Sequence, residues 1–135
     1  MFGRRGFIEY QVIVPRDRAE VYVRGLQSLL ARGGLPSVLV SMKLFKGTQR
    51  LLRFEGDGAC VTLYLARTNS AADVLPVLDE LAVKTGSIPN IIKDSRLPLS
   101  AVRSLYPEYD LFRTALRSYD PERLLRSELS ERLGL

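Results

Sequence analysis

The chain has no histidine and no tryptophan, and a single cysteine, Cys60, in 135 residues. Without histidine the commonest general base and the commonest metal ligand are both missing, so a Ser-His-Asp constellation is excluded. One thiol without imidazoles also argues against a zinc site, and no metal partner is expected. A lone cysteine rules out an internal disulfide and fits a reducing compartment, so the expected location is cytoplasmic. Long apolar runs are missing too. Ile88 to Ile92 is far short of the ~20 residues needed to cross a bilayer. Met1-Phe2-Gly3-Arg4-Arg5-Gly6 carries two arginines but no following apolar core, so it does not read as a secretory signal. The first strand follows almost at once, as in a domain cut from a longer protein.

What is present is an ordinary globular balance, 46% apolar and 26% charged, long enough for one domain spanning 1–135. The net charge is +5 and the pI about 9.7. That surplus suits nucleic acid, a phosphorylated lipid or a phosphate-bearing ligand, and equally a solvated basic surface.

Hydrophobic alternation marks the strands. In Phe7 to Val14, residues Tyr10, Val12 and Val14 share one face, and Glu9, Gln11 and Ile13 the other. Asp17 with Glu20 predicts a capping box, Tyr22, Leu26, Leu29 and Leu30 an apolar helical stripe, and Gly33-Gly34 its stop. Ser37 to Phe45 is a second strand, with Val38, Val40, Met42 and Leu44 toward the core and Leu39, Ser41, Lys43 and Phe45 away from it. Leu51 to Phe54 is expected to be extended. Ala59 to Ala66 is the next strand, with Val61, Leu63 and Leu65 inward and Cys60, Thr62 and Tyr64 outward. Ser70 and Asp73 are expected to cap a helix that tolerates Pro76 in its first turns and closes at Gly86. Ile88 to Ile92 is a last short strand. Beyond Pro98 the chain reads as helical pieces broken at Pro107 and at Asp120-Pro121. The expected class is α+β, a ferredoxin-like split β-α-β antiparallel sheet with helices on one face and a helical C-terminal tail. Its other face would gather Glu9, Gln11, Ser41, Lys43, Phe45, Cys60, Thr62 and Tyr64, a mixture suited to meeting a ligand or partner.

Five stretches carry a more specific signal: Arg4 to Gln11 followed by Val14-Pro15; Met42-Lys43-Leu44-Phe45 followed by Gly47; Lys93-Asp94-Ser95-Arg96; Leu105-Tyr106-Pro107; and Asp120-Pro121. In this order they resemble the C-terminal, substrate-side part of FAD-linked oxidases of the decaprenylphosphoryl-ribose oxidase type, in the vanillyl-alcohol-oxidase and aldonolactone-oxidase superfamily. The resemblance implies FAD as cofactor, held mainly by a domain outside this chain in the same or a partner polypeptide. It also implies oxidation of a sugar-alcohol or polyol hydroxyl, or of a phosphorylated sugar-lipid, beneath a sheet that roofs the flavin. By the same resemblance Gln11, Lys43 and Lys93 line the substrate pocket with Phe45 as its apolar wall. Lys93 is then the best candidate for a catalytic role, and Asp94 and Arg96 form a pair that shapes its loop. Cys60, Thr62 and Asn90 depart from the residues common in that family, so the resemblance does not fix the substrate.

Glycine-rich loops that cradle dinucleotide phosphates are absent, so the chain alone is expected to be colourless and inactive. Two other readings stay open. One is a regulatory or dimerisation domain that associates through its exposed sheet face. The other is a basic RNA-binding module, disfavoured because Val61 to Leu65 holds one aromatic without a Lys-Gly-Phe run and Tyr10 faces the core.

Overall fold

In a computed structural model residues 6–32, 37–93 and 96–135 are described, with the side chains of residues 37 and 38 excepted. Arg4, Arg5, Gly33, Gly34, Asp94 and Ser95, together with the inward placement of Val38, lie outside the described residues. The elements run β1 (Phe7–Pro15), α1 (Ala19–Ala31), β2 (Ser37–Phe45), β3 (Gly58–Ala66), α2 (Asn69–Thr85), β4 (Ile88–Pro89), α3 (Leu99–Leu105), α4 (Tyr109–Tyr119) and α5 (Glu128–Arg132). The sheet order is β2-β3-β1-β4 and every pair is antiparallel. The protein is thus α+β, with the interleaved β-α-β-β-α-β order that the alternation predicted.

Period-two alternation fixes the faces. Tyr10, Val12 and Val14 of β1 pair directly with Leu63, Val61 and Ala59 of β3. Their side chains form the main core with Tyr22 and Leu26 of α1 and Val74, Leu75, Leu78 and Ala82 of α2. A second apolar cluster joins Ile91, Leu97, Val102, Leu105, Tyr106, Tyr109, Leu133 and Leu135. The Tyr106 hydroxyl donates to the Pro89 carbonyl and ties this helical layer to β4. The C-terminal residues are clamped as well. Tyr109 donates to the Leu133 carbonyl, Arg113 and Arg117 to that of Gly134, and Arg123 to that of Leu135.

Several local expectations are corrected. Asp17 and Glu20 make no capping box. Pro15 leads into a 3-10 turn, Arg16–Arg18, which leaves Asp17 one residue before the cap position held by Arg18, and α1 starts without a side-chain cap. Thr68, not Ser70 or Asp73, caps α2 by accepting from the Ala71 amide at 3.2 Å. Pro76 therefore lies in the interior of α2, not its first turns, on an exposed face where water can reach the carbonyl it leaves unbonded. Gly86 does close the helix, with φ +62°.

Leu51 to Phe54 is not a strand: Leu51 and Leu52 form a turn, and Arg53 and Phe54 are irregular. Leu51 takes φ +52°, and its amide donates to the Glu108 carboxylate at 2.8 Å. The last strand stops at Pro89, and Ile91 to Lys93 turn away from the sheet. Leu30 is exposed, as are Val40, Met42 and Leu44 of β2. Alternation placed those three β2 residues on the helix side correctly, but neither helix covers that edge.

Burial raises the phenols of Tyr22 and Tyr106 well above the usual tyrosine range, with the Asp79 charge adding to the effect at Tyr22. The native state therefore keeps both protons while the unfolded chain loses them near pH ~10. Their stabilising contribution is intact below that pH and is lost as pH rises toward the native values. Urea midpoints should fall above about pH 10, and Tyr106→Phe should reduce that fall while costing roughly 1 kcal/mol near neutrality through the lost hydrogen bond.

Candidate functional site

On the face away from α1 and α2 the register sets side chains in transverse rows. One row is Gln11, Thr62 and Ser41; on one side of it lie Glu9, Tyr64 and Leu39, and on the other Ile13, Cys60 and Lys43. Asn90 extends the central row beyond β1. Its Nδ2 donates to Gln11 Oε1 at 2.7 Å, and Gln11 Nε2 donates to Thr62 Oγ1 at 2.9 Å. The Asn90 amide also reaches the Gln11 carbonyl at 2.8 Å, and the Ile92 amide donates to Asn90 Oδ1 at 3.2 Å. Gln11 is thereby fixed in orientation, with its carbonyl accepting and its amide donating.

Lys93 lies at one end of this face, its Nζ 3.1 Å from Glu9 Oε2; the lysine side chain is 48% exposed and the glutamate 18%. Arg96 grips Asp79 of α2 through two parallel bonds of 2.6 and 3.0 Å, anchoring the far side of the loop that carries Lys93. The expected partner Asp94 is outside the described residues. Glu9, Lys93, Arg67 and Arg96 surround a recess of about 360 Å³ floored by Phe7, Ile8 and Leu75. Lys43 sits at the opposite margin on β2, exposed and without an ion pair among the described residues.

Phe45 stands apart. It pairs across to Gly58 and meets Phe54 edge-on at 6.0 Å between ring centroids. From the Glu9 row to the Phe45 row is six residues of β3, roughly 20 Å at ~3.3 Å per residue. The structure therefore groups Gln11 with the Lys93–Glu9 pair, places Lys43 one row beyond on the other strand, and leaves Phe45 distal.

The face is also less open than alternation implied, for Cys60 is 1% and Thr62 3% exposed. The loop after β2 lies against its lower end, where a Cβ on Gly56 would meet Ile88 Cδ1 at 3.0 Å and Ile13 Cγ2 at 3.3 Å. Asn90 was missed as a member of the polar cluster, and Glu9, though placed on this face, was not foreseen as the partner of Lys93. Glu9 was visible on the right face, whereas Asn90 reaches Gln11 across 79 residues and leaves no short-range signal.

Burial raises the Cys60 thiol pKa, only partly opposed by a hydrogen bond with Thr62 and the Lys43 charge. A thiol held neutral is a poor nucleophile. Cys60 should therefore resist iodoacetamide at pH 8 in the native protein and react at the rate of a free cysteine in urea, which mass spectrometry would follow.

Among the described residues no cluster of three or more His, Cys, Asp or Glu could hold a metal ion. Nor is any helix among them long and apolar enough to cross a membrane. No family model matches the chain. Over 135 residues it is 29% identical to decaprenylphosphoryl-beta-D-ribose oxidase of Mycolicibacterium smegmatis, a match covering 99% of this chain and 29% of that protein. Over nearly its whole length the chain is similar to this oxidase. An uncharacterized protein in mprA 5'region of Streptomyces coelicolor is 32% identical over 90 residues, 66% of this chain and 24% of that protein. The chain thus spans less than a third of the length of either relative.

Proposed function

We propose that this chain is the substrate-side domain of an FAD-dependent oxidoreductase that oxidises a sugar-alcohol or polyol hydroxyl. The observation that carries this reading is the Asn90–Gln11–Thr62 hydrogen-bonded row flanked by Lys93 and Lys43, in a chain similar to an oxidase of a phosphorylated sugar. In this reading the row faces the substrate and the sheet covers the flavin.

The chain's own residues do not fit the task of holding FAD. The residue that opens α2 is Thr68, with Arg67 before it, and no described helix starts from a glycine-rich turn able to cradle a pyrophosphate. The flavin, which would accept the hydride, is bound by a domain beyond this chain. What remains here is positioning. The oriented Gln11 amide holds a substrate hydroxyl. The Lys93 ammonium lies where it can stabilise developing alkoxide charge, and Lys43 suits a phosphate or a further hydroxyl. The ~20 Å from the Lys93–Glu9 pair to Phe45 along the sheet suits an elongated substrate such as a phosphorylated sugar-lipid, with Phe45 against its distal, apolar part.

The test is anaerobic reduction of the flavin in the complete flavoprotein containing this segment. Sugar alcohols, polyols and prenyl-phosphate sugars should bleach the flavin, and the rate should fall when Gln11 or Lys93 is replaced by alanine. Bleaching that is indifferent to both replacements would remove this face from the site. No bleaching by any such donor would remove the substrate class.

A further inference from the structure

We infer that Asn90 is a positioning residue, which fixes the direction of hydrogen bonding along the Asn90–Gln11–Thr62 row. It thereby decides which end of the Gln11 amide meets a substrate donor and which an acceptor. The consequence for a substrate deepens the oxidase reading and rests on it; the direction of the row does not.

A carboxamide can be gripped either way round, because its oxygen and nitrogen occupy nearly the same space. Asn90, Gln11 and Thr62 by themselves would allow two arrangements, with every bond running one way or every bond running the other. One donor breaks the tie. The Ile92 main-chain N–H can only donate, and its nitrogen lies 3.2 Å from the Asn90 side chain. The atom it meets must be Oδ1, so Nδ2 is turned toward Gln11. The Gln11 atom 2.7 Å away must then accept, which makes it Oε1 and turns Nε2 toward Thr62 Oγ1 at 2.9 Å. Thr62 accepts in turn and keeps its own proton for Cys60, with which it shares a hydrogen bond. Donation thus runs from the Lys93 loop across β1 into β3, in a single sense set by one main-chain amide.

Asn90 also joins the two groups that a substrate would meet. Its own amide reaches the Gln11 carbonyl at 2.8 Å, and its carbonyl accepts from the Lys93 amide at 3.1 Å. One residue therefore sets the main-chain position of Lys93 and the side-chain direction of Gln11 together. The row uses one lone pair and one N–H of the Gln11 amide. It leaves a lone pair on the Asn90 side and an N–H on the Thr62 side. A substrate that donates a hydroxyl proton on the first side and accepts on the second is matched. The opposite order sets donor against donor and acceptor against acceptor.

Asn90→Asp reverses the row with little change in shape. A carboxylate keeps the bond to the Ile92 amide but cannot donate. Gln11 must then turn and give its Nε2 to residue 90, while Thr62 donates to Oε1 and releases Cys60. In the 135-residue chain, NMR should show the Gln11 side-chain amide protons close to Thr62 in the wild type and close to residue 90 in Asn90→Asp. Thr62→Val removes only the far partner, and the Gln11 amide should keep its wild-type direction. Amide protons beside residue 90 in the wild type, an unturned amide in Asn90→Asp, or a released one in Thr62→Val would each overturn the inference.

In the complete flavoprotein, kcat/KM should fall about 100-fold in Asn90→Asp and only about tenfold in Asn90→Ala, where Gln11 is released and can still turn to the substrate. A purely structural residue gives the opposite order, because the carboxylate keeps the Ile92 bond that alanine loses. That order overturns the positioning role. A wild type whose flavin no sugar alcohol, polyol or prenyl-phosphate sugar reduces overturns the oxidase reading alone, and the NMR spectra still decide the direction of the row.

Discussion

Replacing Gly58 by alanine is expected to cost about 3 kcal/mol or more of folding stability, a large part of what a domain of this size has. Gly58 opens β3 and pairs with Pro15 of β1 on one side and Phe45 of β2 on the other. A Cβ there would stand 2.0 Å from the Val14 carbonyl oxygen and 2.8 Å from its carbon. Both are backbone atoms, which cannot turn aside as a side chain does. The added methyl must separate β1 from β3 at the end where the main core begins. Two other glycines calibrate the effect. Gly86→Ala meets open space and loses only the ease of a φ of +62°, roughly 1 kcal/mol. Gly56→Ala presses only on side-chain atoms, the flexible Cδ1 of Ile88 at 3.0 Å and the Cγ2 of Ile13 at 3.3 Å, and should cost less than Gly58→Ala. Urea titration should therefore place Gly58→Ala well below the other two, and equal midpoints for Gly58→Ala and Gly86→Ala would refute the close approach of the strands.

In the complete flavoprotein Lys93→Ala is expected to lower kcat by about 10²–10³, the range found when one transition-state donor is removed. The loss should appear in kcat more than in KM, because a developing alkoxide carries charge that the resting hydroxyl lacks. The fold should tolerate the change. The Lys93–Glu9 pair is half exposed at the lysine, and such pairs contribute roughly 0–1 kcal/mol. Lys93→Arg keeps the charge but alters its geometry, so it should recover part of the rate. Glu9→Gln separates positioning from charge: the ammonium remains without its carboxylate anchor, and KM should shift with a smaller loss in kcat. If Lys93→Ala changed the melting temperature but not kcat, Lys93 would be a structural residue.

The sequence made the sheet largely legible. Alternation sorts β1 and β3 into two faces because each strand is long and regular, and the pairing of Tyr10 with Leu63 and Gln11 with Thr62 keeps those faces. The outer fate of β2 was not legible. Periodicity says which side Val40 and Met42 occupy, but not whether a helix reaches that far. The cap at Asp17 failed for a local reason, since Pro15 steers the chain into a 3-10 turn before the helix begins. At the candidate site, Gln11 was legible as an outward polar residue in an apolar strand. Its fixing by Asn90 was not, because that contact depends on where β4 docks.

β4 pairs with β1 only through Pro89 opposite Val12 and Ile88 opposite Ile13. So short a strand can detach in a local opening far cheaper than global unfolding, while the long β1–β3 ladder stays intact. Asn90 follows immediately and Lys93 lies three residues further on. The orientation of Gln11 and the placement of Lys93 thus hang on the shortest strand of the sheet, which the Tyr106–Pro89 and Asn90–Gln11 bonds hold in place. Amide exchange at Asn90 and Ile92 should run ahead of exchange at Val61 and Leu63. A temperature rise that leaves the molecule folded should loosen this polar corner before the β1–β3 ladder.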